Sequence, residues 1–255
     1  MTISAHARSW ASEAAGAAYE LGRPDYPAEL NALLEKQAGV GPTATVADVA
    51  AGTGKLTRVL AERPCILVAV EPMAGMRAQL RRAVPSALHV AGTAEALPFR
   101  SGSVDVVTVA QAFHWFQIER ASRELRRVLA PGGSLALINN TQISSEPLGG
   151  QLWRVLQRFE KLVPRPDSTR GWRARLEEAG DFERWCHFEL RHEQVLATPA
   201  ELEARFTSVS FVLLLKEADR AKLAAAVREV ASDQYPIHFP LRTVIDVGRR
   251  VPGPP

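Results

Sequence analysis

The stretch TVADVAAGTGKLTRVL, Thr45–Leu60, decides the fold. Thr45–Val49 is β-prone, Ala50–Gly54 is a turn of small residues, and Leu56, Val59 and Leu60 follow at helical spacing. Strand, tight glycine turn and helix together place a nucleotide-like ligand on a helix N-terminus. Gly52 and Gly54 let backbone approach a ligand where a Cβ would obstruct it. Asp48 stands at the mouth of the turn. A carboxylate there repels a pyrophosphate and attracts a ligand carrying positive charge. A dinucleotide fingerprint fails on spacing, because its third glycine position is Thr57. A Walker loop fails as well: Leu56 follows Lys55, and Val49 stands where that motif needs glycine. For this stretch taken alone, an ordinary turn that binds nothing is the alternative.

Downstream, the pattern repeats. Ile66–Val70 is fully apolar and ends in Glu71, which reads as a strand buried on both faces. Glu71 lies about twenty residues beyond the turn, where a nucleotide fold places an acid for a vicinal diol. Met73–Arg82 reads as helix and Ala87–Ala91 as a third strand. GTAEALPF, Gly92–Phe99, then puts Thr93, Ala94 and Glu95 at a strand's carboxyl end. Val104–Ala110 is a fourth strand, followed by QAFHWF, Gln111–Phe116. Ile118–Leu129 is helical, PGG at Pro131–Gly133 is a turn, and Ser134–Asn139 is a fifth strand. Five strands alternating with helices predict a doubly wound parallel sheet.

The flanks are less regular. The Ala-rich start carries Trp10, Tyr19 and Leu21 as scattered anchors. YELGRPDYP, Tyr19–Pro27, has two prolines and a glycine that forbid a continuous helix. It is either a lid or a plain extension with Tyr26 packed on the body. Leu30, Leu33 and Leu34 give a helix over Ala28–Gln37, stopped by Gly39. Leu152, Val155, Leu156 and Phe159 mark an amphipathic helix, and a proline-broken loop follows at Val163–Pro166. Trp172–Ala179 reads as helix ended by Gly180, and Phe182–Leu196 as strand. Thr198–Glu201 has the form of a capping box, with Pro199 at the first helical position. Glu217–Ser232 is helical, Phe239–Val247 is the closing strand, and VPGPP is a tail.

Composition excludes several classes. The 255 residues are 46% hydrophobic and 23% charged, an ordinary globular mix for one large domain. No apolar run approaches the roughly 20 residues of a spanning helix, and no leader pattern opens the chain, so a cytoplasmic protein with no membrane partner is expected. Cys65 and Cys186 form no framework and read as buried small hydrophobes. Six dispersed histidines offer no metal-ligand spacing. The net charge is +3, and the arginine groups Arg77, Arg81, Arg82 and Arg123, Arg126, Arg127 read as solvated helix faces, so nucleic acid is not the expected partner.

Taken together, DVAAGTGKLTR (48–58), VAVEPMAGM (68–76), GTAEALPF (92–99), SVDVVTVAQAFHW (103–115) and LRRVLAPGGSLAL (125–137) resemble the class I S-adenosylmethionine-dependent methyltransferases. The resemblance is nearer to the small-molecule, type 11 branch that includes ubiquinone/menaquinone-type and trans-aconitate-type enzymes. It spans Ala44–Ile138, and YELGRPDYP resembles the branch's N-terminal lid. It implies a Rossmann-like, seven-stranded, mostly parallel α/β sheet with helices on both faces, an antiparallel last strand and a helical cap. Within one domain it implies N-terminal helices and lid (1–40), a cofactor-binding core (41–140), cap insertions with the sixth strand (141–235), and the closing strand and tail (236–255). S-adenosylmethionine is the implied cofactor and a small-molecule methyl acceptor the implied partner.

Residue by residue, Asp48, Ala50, Gly52, Thr53 and Gly54 match the turn that holds the methionine part. Glu71 matches the ribose acid, with Pro72, Met73 and Met76 beside the adenosine. Ala94 and Glu95 match the adenine edge, and Gln111 faces the methionine end. Tyr19 and Arg23 are expected to fold over that end, with Arg23 on the cofactor carboxylate. Two positions depart from the family pattern: Ala50 replaces the first glycine, and Thr93 replaces an aspartate that receives the adenine amino group.

Methyl transfer from a sulfonium needs approach geometry and a dry cavity, and a base only when the nucleophile is protonated. His114 and Trp115 are candidate acceptor contacts. His114 is read either as a general base with a near-neutral pKa or as an aromatic wall with Phe113 and Phe116. The alternatives to a small-molecule methyltransferase are a cofactor-binding protein without transfer, a nucleotide-dependent oxidoreductase, or a nucleic-acid methyltransferase. The sequence leaves the oligomeric state open.

Overall fold

The computed structural model describes residues 12–143, 147–163, 171–232 and 234–253. Trp10, most of the Val163–Pro166 loop and the last two residues of the tail lie outside the described residues. Two helices, α1 (Glu13–Gly22) and α2 (Glu29–Ala38), precede the first strand. The core then runs β1 (Thr45–Val49), α3 (Lys55–Ala61), β2 (Ile66–Val70), α4 (Ala74–Ala83), β3 (Leu88–Val90), β4 (Val104–Ala110), α5 (Ile118–Val128) and β5 (Leu129–Gln142). The remainder is α6 (Pro147–Glu160), α7 (Trp172–Ala179), β6 (Phe182–Leu196), α8 (Pro199–Thr207), α9 (Glu217–Ala231) and β7 (Ile237–Arg250).

The seven strands form one sheet in the order β3-β2-β1-β4-β5-β7-β6. β1 to β5 pair in parallel, and β7 lies antiparallel between β5 and β6. The last strand is thus antiparallel in a mostly parallel α/β sheet, as the family resemblance implies.

Both faces of the sheet are covered. Val49, Val68, Val70 and Val107 pack with Ile118, Leu125 and Val128 of α5 on one face. On the other, Val46, Leu67, Ala69 and Val106 pack with Leu30, Leu34, Leu60 and Leu80. Ile118, Ala121, Leu125 and Val128 recur at helical spacing and are fully buried, so α5 offers the sheet one continuous apolar stripe. A third apolar cluster, with Leu152, Leu202, Phe206, Val227 and Phe239, holds α6, α8 and α9 together beside the start of β7. The capping box starts α8: Thr198 Oγ1 accepts from Glu201 N–H, and the Glu201 carboxylate accepts from Thr198 N–H.

Several sequence readings are corrected. α1 runs through Tyr19 to Gly22 and stops only ahead of Pro24, since a helix tolerates Gly22 but not the residue preceding proline. PGG is not a free turn between elements. It is a bulge inside β5, where register shifts from Val104↔Leu129 to Val106↔Ser134 and Gly132 takes φ 78°. Cys186 is exposed rather than buried. Arg77 and Arg127 are staples: Arg77 donates to the Glu71 and Pro72 carbonyls, and Arg127 binds Glu124 and the Phe99 carbonyl.

Candidate active site

The carboxyl ends of β1, β2 and β4 open onto one cavity of about 640 Å³. That size suits a small molecule. Its floor is the glycine turn. Gly52 N–H donates to Glu71 Oε2 at 3.0 Å, which ties the turn to the end of β2. Glu71 Oε1 accepts from Met73 N–H at 2.8 Å. A Cβ built on Gly52 meets nothing within 4 Å, so open space adjoins the turn on the cavity side. Ala50 (φ 58°) and Gln111 (φ 57°) occupy the left-handed region that disfavours side chains, one at the end of β1 and one at the end of β4. Such strain is retained where the chain must turn sharply beside a site.

Tyr19, Arg23, Ala50, Gly52, Glu71, Pro72, Met73, Met76, Thr93, Ala94, Glu95, Gln111, His114 and Trp115 all line this cavity. Three expected residues do not. Asp48 is completely buried and its carboxylate turns inward, accepting from Thr57 Oγ1 at 2.6 Å and Thr108 Oγ1 at 3.0 Å. The expectation that this carboxylate meets a ligand charge is therefore corrected: it clamps β1 to α3 and β4. Gly54 (φ 95°) serves packing, because a Cβ there would lie 2.7 Å from Leu80 Cδ1. Thr53 is buried beneath the turn.

Burial sets the electrostatics. It raises Asp48 to about 6 against the two threonine hydrogen bonds, and raises Glu71 to about 7 against its two backbone donors. Burial, then the Arg23 cation, lowers His114 to about 4. That corrects the near-neutral imidazole expected from sequence. His114 lies in the 3₁₀ turn Phe113–Trp115, its ring tilted against that of Trp115 with centroids 4.8 Å apart, while Phe113 packs on Phe116 and on Trp172 of α7.

The roof was not legible from motifs. Trp153 and Leu156 come from α6, Arg205 and Phe206 from α8, and Val209 and Ser210 from the turn after it. Arg23 reaches up from the end of α1, donates to the Ser208 carbonyl at 2.8 Å and lies over the Tyr19 ring. Asn140 lines the cavity from β5; its side chain accepts from Thr243 Oγ1 and donates to the Asp25 carbonyl. Sequence analysis missed Asn140, although the carboxyl-end rule for parallel strands could have found it, since it directly follows the strand read over Ser134–Asn139. No comparable signal marked Arg205. Among the described residues no cluster of three His, Cys, Asp or Glu could hold a metal, and no helix is long and apolar enough to cross a membrane.

Residues 47–137 match the family model described as "Methyltransferase domain". Over 217 residues the chain is 34% identical to the uncharacterized methyltransferase-like protein C25B8.10 of Schizosaccharomyces pombe, covering 84% of this chain and 82% of that one. Over 143 residues it is 46% identical to the uncharacterized methyltransferase Rv3342 of Mycobacterium tuberculosis, covering 56% and 57%. The solved structure of the YcgJ protein from Bacillus subtilis superposes with TM-score 0.56 at 21% identity, over 88% of this chain and 98% of that one, a likeness of fold. The strand order, the antiparallel β7 and the glycine turn define the class I methyltransferase architecture. The chain belongs to the S-adenosylmethionine-dependent methyltransferase family, and S-adenosylmethionine is its methyl donor.

Proposed function

We propose that the methyl acceptor is a small molecule, taken into the cavity between the carboxyl edge of the sheet and the roof formed by α6 and α8. The observation that carries this reading is the roof itself. Trp153, Leu156, Phe206 and Val209 cover a cleft of about 640 Å³, which suits a metabolite. A nucleic-acid substrate is further disfavoured because Arg77, Arg126 and Arg127 are engaged within the protein.

In this reading the Glu71 carboxylate keeps free lone pairs for the ribose hydroxyls, and the bare Gly52 backbone lets the cofactor approach. Pro72, Met73, Met76, Thr93 and Ala94 flank the adenosine, with Glu95 at its edge. Arg23 meets the cofactor carboxylate, with Tyr19 and Gln111 beside the methionine end. Bound there, S-adenosylmethionine supplies an activated methyl group on a sulfonium. His114 and Trp115 act as a wall that excludes water and positions the acceptor. With a pKa near 4 His114 is neutral at pH 7, but it is too weak a base to take an alcohol proton efficiently. Action in the cytoplasm belongs to the same proposal and is checked by fractionating cells that express the full chain.

The test is to incubate the full chain with methyl-labelled S-adenosylmethionine and a bacterial extract, then separate small molecules, protein and nucleic acid. Label in the small-molecule fraction, absent with Glu71→Ala, is the expected result. Label found only in nucleic acid or protein would contradict it.

A further inference from the structure

Charge in the cavity does not balance, and the imbalance lies on the acceptor side. Five charged side chains line it: Arg23, Lys55, Glu71, Glu95 and Arg205. Lys55 is paired with Asp25 at 2.8 Å and lies 3.7 Å from Glu20. Glu71 accepts from Gly52 and Met73, and Glu95 accepts from Gln117 N–H. Two guanidiniums are left. Among the described residues no carboxylate pairs with either, and the Nε of each is buried with no hydrogen-bond partner. A buried donor left unmade is costly, more so on a charged group.

The two arginines occupy different places. Arg23 comes from the N-terminal segment and already holds the Ser208 carbonyl. Arg205 comes from α8 in the roof, with its guanidinium 5.7 Å over the ring of Phe239. Phe206, Val209, Leu156 and Leu241 line the same cavity, as does Ser210. Burial, and then repulsion from Arg23, bring Arg205 down to about 9. S-adenosylmethionine carries one carboxylate, which Arg23 accounts for in the reading above, and two positive groups of its own. The loaded cavity therefore holds one cation more, at Arg205, than its fixed and bound anions answer.

We propose that Arg205 is an anion-binding residue for the acceptor: the methyl acceptor is a monocarboxylate with an apolar body, its carboxylate held by the Arg205 guanidinium and its body lying against Phe206, Val209 and Leu156. This rests on the small-molecule reading of the cavity. One guanidinium matches one carboxylate in a two-pronged contact.

Calorimetry on the full chain saturated with S-adenosylhomocysteine tests it, with 4-phenylbutyrate and octanoate as probes, each against its neutral amide. At least one acid is expected to bind tenfold or more tightly than its amide. Arg205→Met should abolish that preference while S-adenosylhomocysteine affinity stays within about twofold, which also shows that the variant folds. Arg205→Lys should keep part of the preference. The proposal is overturned if neither acid is preferred in the wild type, if the preference survives Arg205→Met, or if 2-phenylethyl phosphate binds more tightly than both acids. It is also overturned if Arg205→Met loses the cofactor product, since Arg205 would then belong to the cofactor. Failure of the wild type to bind S-adenosylhomocysteine would instead contradict the cofactor site described above.

Discussion

Glu71 is buried to 5% exposure at the end of β2, with a pKa raised to about 7, so near neutrality a large share of it is protonated in the free protein. Ribose hydroxyls donating to the carboxylate would favour its ionised form. Cofactor binding at about pH 6.5 is therefore expected to release protons. Calorimetry in two buffers of unlike ionisation enthalpy should give different heats for the wild type and the same heat for Glu71→Gln. Equal heats in the wild type would put the diol elsewhere. The sign for the free protein follows from the same shift. A carboxyl raised from 4.5 favours folding fully below that pH, and the contribution is lost as pH rises through about 7. Relative to Glu71→Gln, the wild type should thus lose urea stability between about pH 5 and pH 8. At His114 the expectation is a raised acceptor KM in His114→Ala, with the pH profile of kcat unchanged. A fall in kcat of about 10²–10⁴ would restore the base. The placing of Glu71 and Gly52 on the cavity was legible because it follows from position beside a turn. Asp48 was misread because its inward partners, Thr57 and Thr108, lie nine and sixty residues away, and nothing local in the sequence brings three polar groups together.

Among the elements, α1 and α8 pack against each other and both line the cavity. Gly22 sits where a Cβ would fall 2.2 Å from the Ala204 backbone, so the two helices touch main chain to main chain. That approach brings Tyr19 and Arg23 to the cavity together with Arg205. Gly22→Ala should push the helices apart at a cost of about 1–3 kcal/mol, the range for overpacking. Cleavage after Tyr19 in limited chymotrypsin digestion should quicken and cofactor affinity should fall. An unchanged rate with unchanged affinity would show that the contact does not position Arg23. The strands of the core were legible from apolar runs ending at a turn: β1, β2 and β4 carry the bounds their sequences suggested. The roof was not. Its helices were readable singly, from the capping box at Thr198 and the stripe Leu152, Val155, Leu156, but their arrangement over the sheet is a long-range matter that no periodicity records. The β5 bulge escaped for a similar reason: PGG signals a turn whether or not strand pairing resumes on both sides of it.

At the scale of the whole molecule, a doubly wound sheet offers a cavity at its carboxyl edge, and segments from both ends of the chain enclose it. Fixed charge on the sheet side is muted, since Asp48 and Glu71 have pKa values drawn up toward neutrality, while unpaired cation sits on the roof side at Arg23 and Arg205. The enclosure is testable in one experiment, amide hydrogen exchange of the full chain with and without S-adenosylhomocysteine. Binding should slow exchange together in the glycine turn (50–54), the end of β2 and start of α4 (71–76), the end of α1 (19–23) and the turn after α8 (208–210). Protection confined to the turn and the end of β2, with residues 19–23 and 208–210 unchanged, would contradict a site that α1 and α8 close over its cofactor.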